Sequence, residues 1–160
     1  FRSENLKINL ALHHVSLVFY SKMILVLAVF YLLFLFSFYI LLENGYGVYL
    51  AVDNSHLKSS SIFFVLVVTA LITPVMEEFI FRGYIQGKLY QVFLRPWLSV
   101  VVTSIFFALI HYRYPLFAFV QVFILSLLLG WARMKSGSIF PAVFMHITFN
   151  VVGVLASYYL

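Results

Sequence analysis

Residues 23–42 are apolar and aromatic without a single charge. About twenty such residues, rising ~1.5 Å each, match the hydrocarbon thickness of a bilayer. Before them, residues 1–22 mix charges with apolar positions and read as an interfacial, amphipathic lead-in. A polar connector over 43–60 holds Glu43, Gly45, Gly47, Asp53 and Asn54. The next apolar run starts near Ser61, passes through Pro74 and is expected to stay helical to about Lys88. Residues 97–112 form a third run closed by Arg113 and Pro115, and 116–132 a fourth that ends in the basic turn 133–138. A fifth runs from Ile139 to the end, with Pro141 in its first turn, where proline is tolerated. The pattern predicts an all-α polytopic transmembrane helix bundle of about five spans, with residues 61–160 as its four-helix core.

Composition turns that pattern into a membrane assignment. Only 9% of the 160 residues are charged and 64% are hydrophobic, against about 25% charged in soluble domains. The chain has no cysteine, which excludes disulfides, thiolate metal sites and a cysteine nucleophile. Its net charge of +5 comes from scattered residues at the ends of apolar runs. These read as orientation signals, and no nucleic-acid partner is expected. With the N-terminus cytoplasmic, Arg2, Lys7, Lys22, Lys88, Arg95, Arg133 and Lys135 fall inside, while Lys58 and Arg113 fall outside. Trp97 and Trp131 then belong to the cytoplasmic aromatic belt. Phe1 rather than Met opens the chain, so a fragment or trimmed chain is expected.

Against this background three charges stand out: Glu77, Glu78 and Arg82, all inside the second apolar run. Charges at that depth are costly and mark function. Glu78 and Arg82 are four residues apart and share a helical face, which favours an ion pair. Glu77 points about 100° away and is freer to face a cavity as a base. Phe107 and His111 are four apart on the third run, as are His146 and Asn150 on the fifth. His146 and Asn150 can aim two donors at one oxyanion, and His111 can share a proton or a water with Glu77. At 1.5 Å per residue from the cytoplasmic ends, Glu77 lies ~16 Å deep, His111 ~21 Å, His146 ~12 Å and Asn150 ~18 Å. All four are expected in one layer that opens to the cytoplasmic side. His13, His14 and His56 read as solvated, and Gly83 with Gly87 as a helix-packing pair.

Other proteolytic chemistries lack their residues. There is no Gly-x-Ser-Gly nucleophile site, no HExxH motif and only one aspartate, Asp53. The three motifs EExxxR (Glu77, Glu78, Arg82, followed by Gly83), FxxxH (Phe107, His111) and HxxxN (His146, Asn150) resemble those of the CPBP family. These are the CAAX proteases and bacteriocin-processing enzymes, also called the Abi family, and the likeness covers about 61–155. The resemblance implies a glutamate-type intramembrane endopeptidase with no cofactor and no obligatory catalytic metal. Glu77 and His111 would activate water, His146 and Asn150 would hold the oxyanion, and Glu78 and Arg82 would support them. A compact bacterial-type member fits the length best. Expected partners are therefore a peptide or membrane-protein substrate and the bilayer of a bacterial plasma membrane, with maturation of a bacteriocin or signalling peptide, or self-immunity, as the setting. Three alternatives stand beside this: zinc held by Glu77, His111 and His146, a non-enzymatic immunity or scaffold protein, and a small proton-coupled transporter.

Overall fold

The computed structural model describes residues 14–44, 61–93 and 95–159. The outer part of the lead-in with His13, and the connector with Asp53, His56 and Lys58, lie outside the described residues. Helix α1 spans Leu17–Glu43. It starts six residues before the expected first span because Ser16 caps it, its hydroxyl accepting from the Phe19 N–H at 3.3 Å. Lys22 therefore sits one turn inside the helix, where its long stem lets the ammonium reach the interface. His14 is exposed just ahead of the cap.

Helix α2 is continuous over Ile62–Phe93, 32 residues, and so outlasts the expected end at Lys88. It is not uniformly α-helical. Wide turns with i→i+5 bonding occupy Leu66–Ile72 and Phe79–Ile85, on either side of an α segment, Thr73–Glu78. Pro74 gives a reason for the first: it has no N–H and its ring crowds the carbonyl four residues back, so an extra residue in the turn relieves the clash. Thr73 completes the wide turn by donating both its N–H and its hydroxyl (2.9 Å) to the Val68 carbonyl.

Helix α3, Pro96–Leu109, is 14 residues, or about 21 Å. This is shorter than the expected 97–112 span. Its last turn tightens, with His111 N–H on the Ala108 carbonyl (2.8 Å) and Tyr112 N–H on Leu109 (3.2 Å). Pro115 then keeps Tyr114 out of helical conformation. Helix α4, Leu116–Ser136, ends at Gly137, whose φ of 68° is a left-handed cap that suits glycine. Helix α5 follows at Phe140–Tyr159 with Pro141 in its first turn.

Among the described residues α1, α2 and α4 are long and apolar enough to cross a membrane, while α3 and α5 are shorter apolar helices. The molecule is an all-helical polytopic membrane bundle. Helix α3 packs against α4 and the end of α2, and α5 packs against α4 and the first half of α2. Met23 and Leu27 join α1 to Leu125, Leu129, Ala142 and Met145. The opposite face of α1 is turned outward, with Leu32, Leu33 and Phe36 more than 60% exposed, an apolar face suited to lipid.

Candidate active site

Chain neighbours Glu77 and Glu78 have different surroundings. Glu78 is fully buried and accepts from Arg82 Nη1 at 2.8 Å. Arg82, also fully buried, spends Nη2 on Ser126, donating to the hydroxyl at 2.7 Å and to the carbonyl at 3.1 Å. One turn on, Gln86 donates to the Gly130 carbonyl at 3.1 Å. Glu78, Arg82 and Gln86 thus form one polar stripe on α2, matched by Ser126 and Gly130, four apart on α4. Gly130 permits the approach: a Cβ there would lie 2.9 Å from Val100 Cγ1 and 3.2 Å from Gln86 Oε1.

Glu77 instead lines a cavity of about 470 Å³, and its side chain keeps 21% exposure. The same cavity is walled by His111, His146 and Asn150, so all four residues expected to do chemistry meet there. They are delivered by two helices and one turn: Glu77 by the α segment of α2, His111 by the turn after α3, His146 and Asn150 by α5. The lining runs from Glu77 and His146 past Thr69, Thr73, Tyr114 and Gly153. The cavity therefore extends toward the end carrying the 111–115 turn, not toward the basic end as the depth argument expected. The reason is tertiary: the polar stripe of α2 packed on α4 fills the basic side.

His146 is held between the two glutamates. A carboxylate only accepts, so Nδ1–H donates to Glu78 Oε1 at 2.8 Å, and Nε2 stands 3.7 Å from Glu77 Oε2. Asn150 gives one of its two N–H groups to the Thr69 carbonyl, at 2.9 Å. His111 donates Nδ1–H to the Phe107 carbonyl at 2.9 Å, which satisfies an end-of-helix acceptor and leaves Nε2 as the free nitrogen. Among the described residues no group of three or more His, Cys, Asp or Glu is arranged to hold a metal ion. Glu77, His111 and His146 share the cavity without forming such a group.

Phe107 is the hydrophobic centre of the site. Its ring lies under the Arg82 guanidinium at 4.6 Å and edge-on to His146 at 5.8 Å, with His111 at 5.1 Å. Several supporting residues carried no motif: Ser126, Gly130, Gln86, Thr69, Tyr114 and Tyr31. Gln86 extends the spacing of Glu78 and Arg82 by one more turn, and Ser126 with Gly130 is a small pair. Those were the available signals. Tyr114 sits outside the spans with its ring 5.3 Å from His111. Burial and then the Glu77 carboxylate push its phenol up, so it remains a hydrogen-bond donor at neutral pH. Tyr31 of α1 donates its hydroxyl to the Phe149 carbonyl and stacks on that ring at 5.0 Å.

A family model described as type II CAAX prenyl endopeptidase, Rce1-like, matches residues 59–152. The chain belongs to this family. The Rce1-like region takes in α2 through most of α5 and every residue of the three motifs, in agreement with the resemblance they carry, while α1 lies outside it. An uncharacterized 24.3 kDa protein of Escherichia coli is 28% identical over 87 residues, which is 53% of this chain and 40% of that relative. The chain thus spans less than half the length of the curated relative it matches. No solved structure matches.

Proposed function

We propose that this Rce1-like chain is an intramembrane endopeptidase in which Glu77 activates water. The observation that carries the reading is the partly exposed Glu77 carboxylate in a 470 Å³ cavity inside the bundle, with His146 Nε2 3.7 Å away. A water in the cavity gives its proton to Glu77 while its oxygen bonds to the scissile carbonyl carbon. The free Nε2 of His111 accepts from the same water and orients it. The second N–H of Asn150 stabilises the oxyanion. As the C–N bond breaks, His146 passes the proton from Glu77 to the leaving amine. This differs from the role that motif spacing suggested for His146. Its hold on Glu78 supports proton transfer, since a buried carboxylate fixes the imidazole's tautomer and orientation, as in hydrolase triads.

The substrate is a peptide or protein segment that reaches the membrane-embedded cavity. The charge bias supports an N-terminus in the cytoplasm of a bacterial cell. The test is cleavage of a peptide library, with prenylated and unprenylated members, by the wild type and by Glu77→Gln in lipid vesicles containing a zinc chelator. Cleavage by the wild type alone supports the reading, and the products tell CAAX-type from bacteriocin-type substrates. Equal cleavage by Glu77→Gln would remove Glu77 as the base.

A further inference from the structure

One polar side chain lining the cavity at Glu77 takes no part in the reaction. Thr69 and Thr73 spend their hydroxyls on carbonyls of their own helix, Val65 at 2.7 Å and Val68 at 2.9 Å. Tyr114 sits outside the spans, and Glu77, His111, His146 and Asn150 carry the chemistry. Gln121 remains. It is the only polar residue of α4 from Leu116 to Leu125, in a stretch otherwise aromatic and aliphatic. A carboxamide has donors and an acceptor to satisfy, and in an apolar span a neighbouring helix usually satisfies them. Among the described residues nothing bonds to the Gln121 amide. Neither its Oε1 nor its Nε2 is enclosed by protein, so both stay open to the space they line.

Gln121 also lines a second, apolar cavity of about 200 Å³ between α1 and α4, walled by Phe30, Leu33, Phe34 and Phe117 among others. It thus stands at the rim between the two, where a chain leaving the catalytic space meets the apolar one. Along α4 it lies five residues, or about 7.5 Å, from Ser126, which holds Arg82 beside the glutamate pair. An extended peptide covers that distance in about two residues, at ~3.3 Å each. On the α5 side, among the described residues, nothing lies within 4 Å of where a Cβ on Gly153 would stand. A main chain therefore has room to pass between α5 and Gln121.

Given the endopeptidase reading, on which this rests, we infer that the Gln121 carboxamide binds the main chain of the substrate about two residues from the scissile bond. A segment opened for cleavage loses its helical hydrogen bonds, and apolar surroundings offer no replacement. Oε1 of Gln121 accepts from a substrate N–H while Nε2 donates to the carbonyl of the same residue, as paired strand residues do. The contact reads backbone and not side chain, so it selects an extended substrate without fixing its sequence.

The test uses the full chain in lipid vesicles and the library peptide that the wild type cleaves fastest. Copies of that peptide carry an ester oxygen in place of one backbone N–H at a time, the scissile bond excepted. The ester at the residue facing Gln121 is expected to lower kcat/KM about fivefold to tenfold, the weight of one hydrogen bond. Gln121→Leu should lower kcat/KM for the parent peptide by at least that factor and lose nothing further with that ester. Its thermal midpoint should equal or exceed that of the wild type, because an amide without a partner is removed. A wild-type scan with no such position overturns the inference, and it needs no variant to fold. If Gln121→Leu loses as much from that ester as the wild type does, the two are independent, and Gln121 holds water or packing instead. Absence of cleavage of every library peptide by the wild type sinks the endopeptidase reading and this inference with it. A flat scan on a peptide that is cleaved removes Gln121 alone and leaves that reading standing.

Discussion

Glu77 and Glu78 are one peptide bond apart, yet substitution should separate their consequences. Glu77 keeps contact with the cavity, so Glu77→Gln is expected to lower kcat/KM by about 10²–10⁴-fold, the usual weight of a general base. Its thermal midpoint should stay near wild type; a large drop would show that Glu77 braces the bundle instead. Arg82 has a structural position, enclosed with bonds to Glu78 and Ser126. Arg82→Ala leaves the Glu78 carboxylate buried without its cation, which typically costs about 3–5 kcal/mol. Loss of folded yield in detergent checks this, and a stable but inactive Arg82→Ala protein would count against it. The division between the two glutamates was legible from their spacing to Arg82. That Glu78 also holds His146 was not, because the contact joins residues 68 apart in the chain.

At the scale of the element, α2 departs most from ideal helix geometry. A uniform 100° per residue points Glu77 and Glu78 to different sides, but both end up within reach of one imidazole on α5. Wide turns on either side of Thr73–Glu78 adjust how the helix presents that segment. Deleting the exposed Leu71 should close the first wide turn to a regular one and press the Pro74 ring on the carbonyl of the preceding turn, disturbing the stretch that holds Thr69 against Asn150. The expected result is unchanged helix content by circular dichroism with cleavage lost; full activity would deny the wide turn a role. Gly130 acts at the crossing of α4 with α2 and α3. Gly130→Ala is expected to destabilise by about 1–3 kcal/mol, as overpacking does, read as a lower thermal midpoint. A neutral outcome would mean that Val100 and Gln86 yield easily.

For the whole molecule the prediction concerns direction. Chain polarity puts Lys22, Lys88, Arg95, Arg133 and Lys135 at one end of the bundle, while the cavity at Glu77 extends toward the other. The chain has no cysteine, so single cysteines can be placed without background. A thiol at Lys135→Cys is expected to react with a membrane-impermeant reagent only from the cytoplasmic side, and one at Arg113→Cys only from the opposite side. The reverse pattern would invert the bundle and turn the cavity to the cytoplasm. By itself the sequence determined what local chemistry and periodicity control. These are the apolar runs that must be helices in a bilayer, the breaks at Pro115 and Gly137, the Glu78–Arg82 pair on one helical face, and the three motifs that carry the family. The tertiary structure alone decided how those pieces face one another: His146 between two glutamates, Ser126 and Gly130 against the polar stripe of α2, and a cavity that points away from the basic end. The physical reason is that spacing sets direction along one helix, whereas crossing angle, depth and wide turns arise only when helices pack together.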